Sequence, residues 1–99
     1  MSGAEPSVQA TGDRWTVSGP MTMDTAARLL EASRTLPLPA AGLVDLERVD
    51  RADSAGVSVL LAWRRRAIVD SKPIRFAGMP QNMLSLAELY GVEEMLRNL

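Results

Sequence analysis

The chain contains no cysteine and no histidine. The first absence excludes disulfides and thiolate metal sites. The second removes the commonest general base and the commonest metal ligand. Charge of one sign is also missing. The formal net charge is −1 over 99 residues, so no overall field draws the chain to nucleic acid. No segment approaches the roughly 20 apolar residues of a membrane span. The longest uncharged apolar stretch, Ala55 to Trp63, has the length of a helix core. Met1 to Pro6 carries neither a basic region nor an apolar one, so no signal peptide is expected. There is no glycine-rich phosphate loop either, because Gly56 and Gly78 stand alone and no Gly-Lys-Ser/Thr follows a strand. With no nucleophile–base–orienter set to assemble, the expectation is a non-enzymatic, cytoplasmic protein. No catalytic residue, cofactor, metal, nucleic-acid partner or direct membrane insertion is expected of it.

What is present suits one α/β domain. Apolar residues make up 46% of the sequence, enough for a single core. Residues 1–6 read as a flexible N-terminus and 7–99 as one domain. Ser7 to Thr11 and Arg14 to Ser18 alternate around the Gly12-Asp13 turn signal, which predicts a β-hairpin closed by Gly19-Pro20. Thr22 or Asp24 is placed to cap a helix carrying Ala26, Ala27, Leu29, Leu30 and Ser33. Gly42 to Leu46 reads as a buried strand, and Ser54 to Val69 as a helix ended by Ser71-Lys72-Pro73. On that helix Val57, Val59, Leu60, Leu61, Trp63, Ala67 and Ile68 share a broad apolar arc, while Ser58, Arg65 and Arg66 face away. Arg64 falls inside the arc, where its stem can pack and its head can reach a carboxylate. Ile74 to Ala77 predicts a further strand. Pro80 starts a helix that Gly91 stops, and Val92 to Leu99 suits a short terminal helix. The order predicts a mixed sheet of four to five strands, an N-terminal hairpin followed by parallel strands, packed with three to four helices.

One constellation stands out. An apolar strand ends at Val49, and Asp50-Arg51-Ala52-Asp53-Ser54-Ala55-Gly56 leads straight into the long helix. This presents a hydroxyl at a helix N-terminus, where four N–H groups lack helical partners and the macrodipole favours negative charge. A cap alone explains Asp53 or Ser54. Small Ala55 and Gly56 leave the helix start bare, and Gly56 costs about 1 kcal/mol of helix propensity relative to Ala. On that reasoning Ser54, with Asp53, Ala55, Gly56, Arg51 and Ser58, is a partner-docking point, and Ser54 is a candidate phosphate acceptor. Asp45 and Asp53, eight residues apart, are read as carboxylates accepting from backbone N–H groups rather than as an acid/base pair. Met79, in a strand-to-helix loop, suits either an adaptable interface or core filling.

Leu43-Val44-Asp45-Leu46, Val49 and the Asp53-Ser54-Ala55-Gly56 turn together resemble the STAS domain family, over nearly the whole chain. Two groups of that family compete. In anti-sigma-factor antagonists the turn serine is phosphorylated by a partner kinase. In MlaB-like subunits of the bacterial Mla transporter the domain binds the ABC ATPase. That complex, with its permease and lipid-binding subunits, moves phospholipids and maintains outer-membrane lipid asymmetry. Thr11-Gly12-Asp13, Val17-Ser18-Gly19-Pro20-Met21, the run from Asp45 to Asp53 and Leu86-Ala87-Glu88-Leu89-Tyr90-Gly91-Val92 resemble the second group. The antagonists' typical Gly-Glu-Leu-Asp is here Gly19-Pro20-Met21-Thr22, and the transporter subunit often has Thr where this chain has Ser54. The resemblance implies a STAS fold, an ATPase-binding role at Ser54 and a place at the inner membrane through the complex. The alternative it leaves is an antagonist of an anti-sigma-factor kinase.

Overall fold

The computed structural model describes residues 5–97. Among these residues four strands form one mixed sheet in the order β1-β2-β3-β4: β1 (Ser7–Thr11), β2 (Arg14–Met21), β3 (Leu43–Ala52) and β4 (Arg75–Ala77). β1 and β2 pair antiparallel about the Gly12-Asp13 turn, and β2–β3 and β3–β4 pair parallel. Among the described residues four helices complete it: α1 (Ala26–Arg34), α2 (Ser54–Val69), α3 (Gln81–Leu89) and α4 (Glu93–Arg97). Among the described residues no helix is long and apolar enough to cross a membrane.

The predicted mixed sheet is present, but two strands run past their expected ends. Gly19-Pro20 does not close the hairpin, because β2 continues through both residues to Met21. Proline has no N–H for a ladder, and Gly19 sits at φ +82, so the pairing with β3 skips there. Thr16 and Ser18 face Asp45 and Arg48, while Gly19 and Pro20 face Val49 and Arg51. At each step β3 holds one residue more than β2, the signature of a bulge. Asp45 Oδ1 accepts from Glu47 N–H at 2.9 Å and secures the first bulge. These irregularities break the alternation of β3, which is why the sequence predicts a buried strand over Gly42 to Leu46 with an apolar end at Val49, and not the run through to Ala52.

One face of the sheet carries the core. Trp15, Val17 and Met21 of β2 and Val44, Leu46 and Val49 of β3 are buried against Leu29, Val57, Val59, Leu60, Trp63, Ala67, Met83, Ala87 and Leu96 of the helices. The indoles of Trp15 and Trp63 meet edge-to-face at 5.4 Å and 77°, an arrangement worth about 0.5–1.5 kcal/mol beyond burial. Each polar edge is satisfied: Trp15 Nε1 donates to Pro37 O at 3.0 Å and Trp63 Nε1 to Ser33 Oγ at 2.9 Å.

The helix-face expectations need three corrections. Ile68 is 57% exposed, because it lies on the edge of the apolar arc near the helix end, beyond the packed elements. Arg66 does not face away. Its guanidinium donates to Ser33 O at 2.9 Å and Leu36 O at 2.6 Å and lies over the Trp15 ring at 5.7 Å, so it ties α2 to the last turn of α1 and to the loop that follows it. Arg64 is half-buried as expected, yet among the described residues no ion pair joins its head to a carboxylate and its Nε has no hydrogen-bond partner. The start of α1 also differs. Thr25, rather than Thr22 or Asp24, is its boundary residue and makes no side-chain cap. The buried Thr25 Oγ1 instead donates to Pro20 O at 2.7 Å and accepts from Thr22 N–H at 2.9 Å, folding the β2–α1 loop against the strand end.

Candidate docking site at the start of helix α2

β2 and β3 both end, and α1 and α2 both begin, at one end of the sheet. Asp53 is the N-cap of α2, in extended backbone at φ −132 and ψ −165, and its Oδ1 accepts from Ala55 N–H at 2.8 Å. This supplies one of the four unpartnered N–H groups of the first turn. Its other oxygen, Oδ2, accepts from Met23 N–H at 3.0 Å, and its own N–H donates to Met21 O at 3.2 Å. One residue therefore ties the end of β2, the β2–α1 loop and the start of α2.

With the cap supplied by Asp53, the next residue is released from that duty. Ser54 is exposed, and its hydroxyl makes no hydrogen bond among the described residues. Ser58, one turn on, is also exposed, and its Oγ donates to Ser54 O at 3.3 Å. Ala55 is half-buried and Arg51 is exposed. Beside the turn opens a cleft of about 460 Å³, lined by Thr22, Asp24, Asp50, Arg51, Asp53 and Asn82, among others. Asn82, near the start of α3, donates from Nδ2 to Ala52 O at 2.8 Å and closes one wall.

Gly56 does not belong to the outward surface. It is buried, and a Cβ added there would lie 2.6 Å from Met21 O and 3.0 Å from Met83 Cε. The glycine is required because α2 passes this close to the end of β2, not because a partner needs a bare helix start. Asp45 and Asp53 do not converge. Along an extended strand eight residues span about 25 Å, and each carboxylate is engaged with nearby backbone N–H groups. Arg14 approaches Asp45 at only 3.9 Å on a solvated face, a pair worth little. Met79 is half-buried and packs against the core, beside a second cleft of about 210 Å³ lined by Phe76, Leu84, Ala87, Glu93 and Leu96. Among the described residues no group of His, Cys, Asp or Glu is placed to hold a metal ion.

Sequence reasoning thus located Asp53, Ser54, Ala55, Arg51 and Ser58 in one place. It missed Met23 and Asp24 of the β2–α1 loop and Asn82 of the first turn of α3, which carry no local signal beyond polarity or a flanking turn.

A family model described as "Mlab, STAS domain" matches residues 7–97. No curated protein matches the sequence. Among solved structures, the anti-sigma factor antagonist SpoIIAA in its unphosphorylated form superposes with a TM-score of 0.56 at 13% identity, over 85% of this chain and 82% of that one. That likeness concerns the fold. A crystal structure of Mglu matches with a TM-score of 0.54 and 26% identity over 75% of this chain. The chain spans only about a fifth of that protein, 19% of its length. Since the family match runs from the first strand into the last helix, and the mixed sheet is the one SpoIIAA shares, this chain belongs to the MlaB-type STAS domain family.

Proposed function

We propose that the chain is a non-catalytic, cytoplasmic subunit of an Mla-type ABC transporter, peripheral to the inner membrane through that complex. It binds the ATPase subunit, within an assembly of permease and lipid-binding subunits, and supports the phospholipid transport that maintains outer-membrane lipid asymmetry. The observation that carries this reading is the exposed Ser54 hydroxyl, set at the first turn of α2 by Asp53 in an MlaB-type chain. Ser54, Ala55, Arg51 and Ser58 form the contact, with Asp53 and Gly56 fixing the helix start behind them. Replacing Ser54 by Arg puts a long cation where the macrodipole is positive and the partner must approach. In a pull-down with the ATPase subunit, Ser54→Arg is expected to abolish capture while thermal unfolding stays nearly unchanged. Retained capture refutes the reading.

The likeness to unphosphorylated SpoIIAA supports a second reading, an anti-sigma-factor antagonist switched by phosphorylation of Ser54. A phosphate there adds about two negative charges to an exposed surface at a helix N-terminus that tolerates them. The fold survives and the interface is switched off. Intact-mass measurement of protein from its native host is expected to show a phosphorylated fraction that Ser54→Ala removes. A complete lack of phosphate across growth conditions excludes this second reading.

A further inference from the structure

The β2–α1 loop puts a large apolar side chain into solvent beside Ser54. Met23 is 79% exposed, the most exposed large apolar side chain among the described residues. An exposed methionine is unremarkable by itself. Its backbone is not free, however: Met23 N–H is held at 3.0 Å by Asp53 Oδ2, thirty residues away in sequence, while Asp53 Oδ1 caps α2 at 2.8 Å. The loop is fastened a second time through Thr25, whose hydroxyl joins Pro20 O and Thr22 N–H. Capping alone needs one carboxylate oxygen; the second has gone to fixing a loop whose apolar side chain touches solvent.

Resting on the transporter reading, we propose that Asp53 is a positioning residue that holds Met23 as an anchor of the same docking surface, so that the partner meets a thioether and the Ser54 hydroxyl together. The occupant is the ATPase subunit, and charge says which part of it. Asp24 and Asp50 outnumber Arg51 around the adjoining cleft, so the matching surface on the partner is basic with an apolar residue to meet Met23. A pinned loop lowers the ordering cost of binding, and a flexible thioether adapts to the surface it meets.

Asp53→Asn separates the two duties. Asparagine caps a helix as well as aspartate does, so its Oδ1 still accepts from Ala55 N–H. Its amide nitrogen cannot accept from Met23 N–H. Hydrogen exchange is expected to speed up at the Met23 amide of the variant while the Ala55 amide keeps its protection. Binding to the purified ATPase subunit is expected to weaken about tenfold in Asp53→Asn and about tenfold in Met23→Ala. The double variant is expected to stay near tenfold, because both changes remove one contact. Hundredfold loss in the double variant, unchanged affinity in either single variant, or unchanged exchange at Met23 overturns the proposal. If Ser54→Arg abolishes binding while Met23→Ala does not, the transporter reading stands and this inference fails. If the unaltered chain does not bind the ATPase subunit, both fall.

Discussion

Gly56→Ala tests the geometry beneath the site. An ideal Cβ at Gly56 lies 2.6 Å from Met21 O, 3.0 Å from Met83 Cε and 3.1 Å from Met21 Cβ. Ordinary contact is about 3.5–4 Å. The Met83 methyl is the end of a flexible side chain and can swing aside. Met21 O cannot, because it is backbone and accepts from Asp53 N–H at 3.2 Å. The start of α2 must therefore move away from β2, loosening that bond and the packing of Val57 and Leu60 behind it. Alanine recovers at most about 1 kcal/mol of helix propensity, while overpacking a filled core costs about 1–3 kcal/mol. A net loss of about 1 kcal/mol follows, which for a domain of this size lowers Tm by about 4–8 °C. Urea unfolding followed by the emission of buried Trp15 and Trp63, with thermal circular dichroism beside it, measures both quantities. A variant as stable as the parent, or more so, refutes the close approach and restores the idea that Gly56 only clears space for a partner.

Other expected outcomes are as specific. Ser33→Ala leaves Trp63 Nε1, a buried donor, without its acceptor at 2.9 Å, so urea unfolding should show a loss of about 1–3 kcal/mol even though alanine suits the helix. Ser54→Glu adds an anion at the exposed first turn of α2, so stability should hold or rise by about 0.3–1 kcal/mol at low ionic strength, with the gain fading in salt. A marked drop in Tm would show that the site does not tolerate negative charge and would count against phosphorylation of Ser54.

What the sequence disclosed and what it withheld divide along a physical line. The limits of α2 were legible because they are local: Asp53 is a strong cap, and Ser71-Lys72-Pro73 stops any helix. The hairpin was legible from Gly12-Asp13 and alternating side chains. The true length of β3 was hidden because its bulges place Glu47 and Arg48, both exposed, side by side and break the period of two. Gly19-Pro20 looked like an end because neither residue favours a strand, and only a bulged partner accommodates them. Gly56 was assigned the wrong cause for a similar reason: the atoms that require it belong to Met21 and Met83, each about thirty residues away in sequence. The same holds for Met23 and Asp53, and for Arg66, whose partners Ser33, Leu36 and Trp15 lie in three other segments. Periodicity places a residue on a face, but not which neighbours the fold brings to it.

The sheet's spatial order repeats the order of the chain, β1-β2-β3-β4. No strand has to be threaded between two that are already paired. Along the chain the hairpin precedes the other two strands and offers β2 as an open edge. β3 closes that edge, and β4 closes the next. The open edges of β2 and β3 are thus each covered by the next strand in the chain, while β1 stays at the far edge of the sheet. The final edge, β4, is only three residues long, too short to template much further growth. On that side of the sheet the last strand in the chain is also the one least able to take on another.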